Sequence, residues 1–330
     1  MRETHYISAD MLTFVGDSHF NDATPSTRID DYSAASLDKL DKLFSIVSSH
    51  PRPIIFLGDV FHKRKQSLSY ISSLMAKFRR FRDEGCPVYA VIGNHDLAYE
   101  RMDTVETGPL GVFFQSGIIE PLRNLVITTP GDYRVLVAGF HYPEDILPAK
   151  ELVEGEVFAV CVAHRYYDYD FDDQTLRESH LIDLGYRVYA FGHDHCNYPV
   201  TKVGSSVLIR PGSFMRGTSN RYNLEREVCV ETLTLRGDRR KPQVGISHEE
   251  IPIRPAQEVF SATVFDKSST LSAIALGISE RVDDLLHRIE VGAEGVGSVY
   301  TVLDSLQIKP EVKKRIESAL SSQGVFRKNV

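Results

Sequence analysis

The sequence predicts an α/β fold with two packed sheets, followed by a small, mainly helical C-terminal domain. Three observations carry this expectation. The first two-thirds of the chain alternates short apolar runs with helical stretches, and the early runs end at Gly-Asp or Gly-Asn steps. The strand-like runs outnumber what one flat sheet comfortably holds. Near Ile251-Pro252-Ile253-Arg254-Pro255 the pattern changes, and the two prolines mark a connection. The expected domains are residues 1–250 and residues 256–330.

In chain order, Met11–Val15 is the first expected strand. Residues 30–49 carry Leu37, Leu40, Leu43, Phe44 and Val47 at helical spacing. Pro53–Leu57 is a second strand. Ser67–Asp83 is a second helix, with Leu68, Ile71, Leu74, Met75 and Phe78 on one stripe, and Pro87–Ile92 is a third strand. This βαβαβ start implies a largely parallel sheet with right-handed crossovers. Further strands are expected at 125–129, 134–139, 157–162 and 187–191, and residues 198–203, 206–209 and 226–234 read as a β-meander or hairpins. Beyond the prolines, residues 269–289 carry Leu271, Ile274, Ile278, Val282, Leu285, Leu286 and Ile289 at helical spacing, broken by Gly277. Residues 310–320 start well as a helix, with Pro310 and Glu311 in the first turn.

The composition of the 330-residue chain is that of a globular protein, 42% hydrophobic and 25% charged. No apolar run reaches the roughly 18 residues of a membrane span. The start Met1-Arg2-Glu3-Thr4-His5 has no signal-peptide core, so a cytoplasmic location is expected. Cys86, Cys161, Cys196 and Cys229 show no CxxC spacing and read as small hydrophobes. The net charge of −7 argues against holding nucleic acid by bulk charge. Local basic stretches remain. Residues 62–82 contain Lys63, Arg64, Lys65, Lys77, Arg79, Arg80 and Arg82 with no Asp or Glu, and residues 210–241 are rich in Arg. Taken alone, each is as well read as a solvated helix face or a charged hairpin.

Five motifs follow strand-like runs in a fixed order: Gly16-Asp17-Ser18-His19, Gly58-Asp59-Val60-Phe61-His62, Gly93-Asn94-His95-Asp96, His164, and Gly192-His193-Asp194-His195. At strand ends these side chains can converge, because open α/β sheets place their sites at the carboxyl ends of strands. Asp17, His19 and His195 would hold one metal. Asn94, His164 and His193 would hold a second, and Asp59 would bridge the two. The mixed His/Asp/Asn donors suit Mn²⁺, Fe or Zn²⁺ better than Mg²⁺ or Ca²⁺. Two such ions, about 3.5–4 Å apart, clamp a phosphate and activate water. His95 neighbours a ligand and is read as the catalytic acid or transition-state contact. Asp96 either orients His95 or caps the next segment, and Asp194 reads as a loop residue. The aromatic segment Arg165–Phe171 is taken as a surface loop with packed tyrosines. His5, His50, His141, His180, His248 and His287 lack such context and are read as ordinary residues.

The motif order Asp-x-His, Gly-Asp, Gly-Asn-His-Asp, His, Gly-His-x-His resembles the calcineurin-like metallophosphoesterase superfamily over roughly residues 10–215. That resemblance implies a four-layer α/β/β/α sandwich with a dinuclear metal centre. Within it the chain looks most like SbcD-type DNA repair nucleases, including subunits of phage recombination endonucleases. The carriers are Gly-Asp-Val-Phe-His, the segment Val137–Pro143 and the turn Pro211-Gly212-Ser213. Many relatives have Asp where this chain has His62, which leaves His62 as a candidate phosphate contact. The Gly-Asp-x-Val-Asp-Arg-Gly and Gly-Asn-His-Glu motifs of protein Ser/Thr phosphatases are missing.

The resemblance implies a nuclease with two divalent ions, Mn²⁺ above all. Its expected partners are DNA, an SbcC-type coiled-coil ATPase and a second copy in a homodimer. Arg64 and Arg216 are the expected DNA contacts, beside His62. The competing expectations are a phosphoesterase for small molecules or cyclic nucleotides, acting without a partner, and a binding scaffold without activity.

Overall fold

The computed structural model describes residues 3–153, 158–168, 175–219 and 221–261. The chain divides into two units, Met1–Val264 and Phe265–Val330, and all described residues fall in the first. The helices expected at 269–289 and 310–320 lie outside the described residues.

The strands are β1 (Thr4–Ser8), β2 (Met11–Val15), β3 (Ile54–Phe56), β4 (Val88–Ala90), β5 (Glu120–Pro121), β6 (Asn124–Thr128), β7 (Arg134–Phe140), β8 (Phe158–His164), β9 (Val188–Gly192), β10 (Tyr198–Val203), β11 (Ser206–Arg210), β12 (Val228–Asp238) and β13 (Lys241–Ile251). They form two sheets, ordered β1-β6-β7-β8-β9-β11-β10 and β13-β12-β2-β3-β4-β5. Pairing is parallel through β2-β3-β4-β5 and through β7-β8-β9-β11, as the βαβαβ pattern requires. The expected α/β class with two multi-stranded sheets is the fold this unit adopts.

Helices α1 (Tyr32–Val47) and α2 (Leu68–Asp83) connect β2 to β3 and β3 to β4. Each starts on a side-chain cap. Asp31 accepts from Ala34 N, and Ser67 accepts from Tyr70 N, satisfying donors that a helix start leaves unpaired. Both helices, with α3 (Pro109–Gln115), cover the outer face of the six-stranded sheet. Leu40, Leu43, Leu74, Phe78 and Phe113 pack there with Val15, Phe56 and Ala90. The inner faces of the two sheets meet through Leu12, Phe14, Ile55 and Tyr89 from one side and Leu125, Val137, Val160 and Val188 from the other. The outer face of the seven-stranded sheet, with Leu136, Cys161 and Tyr189, is covered by the short helical segments around Ala149 and Leu181. Alternation along β6 to β8 sends successive side chains to these two cores.

Strands β1, β5 and β13 lie outside the sequence expectation. Thr4–Ser8 pairs in parallel with β6 at the sheet edge, and its Tyr6 is 72% exposed. The charged segment Lys241–Ile251 forms an eleven-residue edge strand against β12. Residues beyond Ile251 stay with this unit: Phe260 is fully buried, and Ser261 N donates to Thr27 O at 3.0 Å.

Leu68 departs from its stripe. It is 87% exposed at the first turn of α2, whereas Leu74 is fully buried. Leu74→Ala should therefore lower stability by about 2–5 kcal/mol, the usual cost of a leucine-sized cavity. Leu68→Ala should change it by no more than about 0.5 kcal/mol. Urea unfolding of the two variants checks this contrast, and equal destabilisation would refute the burial pattern.

Candidate metal centre

Five short segments converge at the carboxyl ends of β2, β3, β4, β8 and β9. The first three strands belong to one sheet and the last two to the other. The donors therefore meet across the join between the sheets. Asp17, His19 and His195 present ligand atoms within 4.8 Å of one another, and so do Asp59, His164 and His193. Asp59 lies between the two groups. Its Oδ2 is 3.3 Å from His164 Nε2 and 3.8 Å from His19 Nε2. Asn94 Oδ1 lies 3.1 Å from His164 Nε2. The structure thus brings together all seven residues expected as ligands.

Second contacts aim the donors. His164 Nδ1 is 2.8 Å from Leu57 O, a contact only an N–H can make, so Nε2 is the ring atom turned to the other donors. His193 N donates to both Asp17 oxygens, at 3.1 and 3.0 Å. His95 N donates to Asp59 Oδ1 at 2.9 Å, which leaves Oδ2 facing the imidazoles. Asp96 does not orient the His95 ring. Its carboxylate accepts from Val60 N, Phe61 N and Gly93 N at 3.3, 3.1 and 3.0 Å, lacing the second motif to the third. Burial and the neighbouring Asp59 charge push the Asp96 carboxyl up to about 7.

The glycines before the donors have a steric reason. Gly58 holds φ at +102°, and a Cβ there would overlap the His164 ring. A Cβ on Gly93 would overlap the Asp59 carboxylate. Backbone can approach this closely only where no side chain intervenes.

The donor set fits divalent cations. Burial and the surrounding imidazoles hold His19 and His193 well below the ordinary histidine range, so both rings are neutral and ready to ligate. Burial works against charge on Asp59, but the His164 and His95 rings outweigh it and keep the carboxyl ionised. His19 Nε2 and His195 Nε2 face each other at 2.9 Å, a convergence of donors that one cation would satisfy.

Of the remaining candidates, His95 and His62 stand beside His19. Their rings stack at 5.3 Å, and His62 Nδ1 is 3.4 Å from His19 Nδ1. His95 Nδ1–H donates to His62 O at 3.1 Å, and its Nε2 lies 4.0 Å from Asp59 Oδ2. Arg64 donates through Nη2 to Thr104 O and Thr107 Oγ1 at 2.7 and 2.6 Å. Arg216 corrects an expectation. It is 3% exposed and donates to Asn223 O at 3.4 Å and Arg254 O at 2.5 Å, so it ties loops together inside the protein and is not placed to meet a DNA backbone.

Two tyrosines join the centre, Tyr142 from the segment Val137–Pro143 and Tyr166 from outside the motifs. Tyr166, in the expected surface loop, lies over His193 with ring centroids 3.9 Å apart, and Tyr142 flanks His193 at 6.0 Å. The aromatic run after His164 is the signal in the sequence that points to Tyr166. Tyr169, Asp170 and Phe171 lie outside the described residues. His141 is a core histidine, its Nδ1 accepting from Ile92 N at 3.2 Å.

A buried cluster of two carboxylates, an amide and four imidazoles at the mouth of two sheets defines a metal-dependent class of protein. The chain belongs to the calcineurin-like phosphoesterase family, which it matches over residues 11–197, and such proteins hydrolyse phosphoester bonds. Among solved structures, it is similar to a dimetal phosphatase from Danio rerio at 12% identity, covering 73% of this chain and 96% of that one, with a TM-score of 0.47. It is also similar to Vps29 from Chaetomium thermophilum at 13% identity, covering 74% and 100%, with a TM-score of 0.31. A cold-active protein-tyrosine phosphatase of a psychrophilic Shewanella matches at 14% identity, covering 76% and 83%, with a TM-score of 0.37. Among the described residues, no helix is long and apolar enough to cross a membrane.

Asp59→Asn should remove metal from both groups, because that carboxylate lies between them. Metal analysis of wild type under saturating Mn²⁺ should give two ions per chain at this centre, and the variant should retain fewer than one. A single ion in wild type would refute the paired arrangement.

Proposed function

We propose that this phosphoesterase is a metal-dependent DNA nuclease acting in repair or recombination with an SbcC-type coiled-coil ATPase. The observation that carries the reading is His62. It completes the Gly-Asp-Val-Phe-His motif resembling SbcD-type nucleases, and its half-buried ring stacks on His95 beside His19.

Two divalent ions, Mn²⁺ by this proposal, would be held by Asp17, His19 and His195 and by Asn94, His164 and His193, with Asp59 between them. Bound there, they would supply charge stabilisation to a phosphodiester and activate water. The chain's own residues then position and move protons. His95 is fixed by its Nδ1–H to His62 O, so Nε2 is the atom that meets the leaving oxygen and protonates it. His62 offers a ring N–H to a phosphate oxygen. The exposed Lys63 and Lys65 follow directly and are the cations placed to track a phosphate backbone.

The deciding comparison is purified protein with Mn²⁺ on linear DNA and on free or cyclic nucleotides. Hydrolysis of DNA supports the proposal. Turnover of nucleotides with none of DNA would replace it with the small-molecule reading. His95→Asn should lower turnover by roughly 10²–10⁴ while metal content stays at the wild-type level. A large drop in bound metal would make His95 a ligand instead.

Lys63→Ala with Lys65→Ala should weaken DNA binding and make its salt dependence shallower, by about one unit of slope for each phosphate no longer neutralised. Hydrolysis of a small chromogenic phosphodiester should hardly change. Equal damage to both substrates would place these lysines in support of the centre and not on a DNA path.

The ATPase is proposed to dock on residues 265–330, where Val312, Ile316 and Leu320 have helical spacing. A chain ending at Val264 should keep its metals and its hydrolysis of small esters, yet fail to co-purify with the ATPase. Retained co-purification would put docking on the first unit. The cut falls after Val264 because Phe260 and Ser261 pack against Arg28 and Thr27 of the first unit.

A further inference from the structure

A second group of metal-ligand atoms lies on the β12–β13 hairpin. In the register of that pair, Glu231 stands directly opposite His248. Cys229, two residues before Glu231, shares its face of the strand. Cys229 Sγ, a Glu231 carboxylate oxygen and a His248 ring nitrogen lie within 4.8 Å of one another. His248 Nδ1 is 2.9 Å from Glu231 Oε1. None of the three belongs to the phosphoesterase centre, and His248 has no motif around it in the sequence.

Hydrophobic packing does not explain this grouping. Cys229 is 1% exposed and Glu231 5% exposed, so a carboxylate and a thiol are buried side by side. Burial, followed by the charge of Glu231, pushes the Cys229 thiol up to about 12, and burial also raises the Glu231 carboxyl. A cation between them would relieve both penalties at once.

We propose that Cys229, Glu231 and His248 form a separate mononuclear site for a thiophilic divalent cation of the zinc class. One sulfur, one nitrogen and one oxygen donor select Zn²⁺ or Co²⁺ over Mn²⁺ and Mg²⁺. Three protein ligands leave a fourth position, on the side of the exposed His248, for water or an outside ligand. His248 also provides the entry path, since its side chain is 42% exposed and able to swing from Glu231 onto an ion. Metal–ligand bonds of about 2.0–2.3 Å need only modest closure of the present group.

The surroundings suit a thiolate. Asn197 Nδ2 points its N–H at Cys229 Sγ from 3.9 Å, the kind of outer contact that steadies a ligand sulfur. The Cys229 thiol now donates to Pro211 O at 3.4 Å, and binding would release that proton to solvent. An ion held here would pin the edge strand β13 to β12. That is a structural role distinct from the hydrolytic centre, whose donors are all nitrogen and oxygen.

That difference in donors provides the test. Full-length protein preloaded with Mn²⁺ is titrated with Co²⁺ and followed in the near ultraviolet, where thiolate-to-cobalt charge transfer absorbs. Nitrogen and oxygen ligands give no such band, so the phosphoesterase centre is silent. The wild type should develop the band, with a final intensity that corresponds to one thiolate-bound cobalt per chain. Cys229→Ser should abolish it. His248→Ala, at an exposed position that leaves the hairpin intact, should raise the half-saturating Co²⁺ concentration by at least about tenfold. No band in the wild type, or an unchanged titration in either variant, would overturn the proposal.

Discussion

The Asp59 carboxylate is the point on which the site depends. It is 1% exposed, with Oδ1 taken by His95 N at 2.9 Å and Oδ2 turned to His164 at 3.3 Å and His19 at 3.8 Å. The groups around it come from both sheets. Their meeting is fixed by the inner core, where Phe14, Ile55 and Val91 of one sheet pack on Val160, Val162 and Ala190 of the other. Core and site are therefore one construction. A one-residue slip of β8 would send His164 to the opposite face and strip Asp59 of its nearest imidazole.

The same convergence explains the backbone. His19, Asp59 and His193 have φ of +43°, +46° and +83°, a region most side chains avoid. Such residues cost of order 1–3 kcal/mol each and persist where surrounding contacts over-determine them. Here the contacts are visible. His19 N donates to Asp59 O at 2.9 Å, Phe20 N to Val60 O at 2.9 Å, and His193 N to the Asp17 carboxylate. The chain turns sharply after each strand, and the turn points the donor inward.

What could be read from sequence was what local pattern determines. The βαβαβ start was legible because Leu40, Leu43 and Phe44, and then Leu74 and Phe78, repeat at the spacing of one helix face. The motif residues were legible because each sits at a strand end, four of the five motifs beside a glycine and His164 after the apolar run Val157–Ala163. β13 was not, since Lys241–Ile251 is charged and owes its form to eleven residues of pairing with β12. The place of Arg216 depends on Asn223 and Arg254, and that of Tyr166 on His193. No sequence spacing announces either contact. Leu68 shows the opposite error, where a helical stripe extends into a first turn that has nothing to pack against.

The turn after β11 shows how far the support of the site reaches along the chain. Ser213 N donates to His195 O at 2.9 Å, and Phe214 N donates to Asp17 O at 2.8 Å. The turn is thus a crosspiece between a donor from each sheet. Its own oxygens are gripped by buried basic side chains: Lys39 on Phe214 O at 2.6 Å, Arg28 on Arg216 O at 2.6 Å, and Arg226 on Met215 O and Ser213 Oγ at 2.9 and 2.7 Å. Asp30 answers Arg28 at 2.8 Å. Burial and the neighbouring guanidiniums push the Lys39 amine well down from its ordinary value, so the charge on this turn is carried by the arginines. Bonds from charged donors to backbone carbonyls are stronger than neutral ones. Their use on one turn fits a crosspiece that must stay rigid while two donors close on a cation. Lys39 looks like an error on the apolar face of α1, and together with Tyr32, whose hydroxyl donates to His19 O at 3.1 Å, it joins that helix to the site.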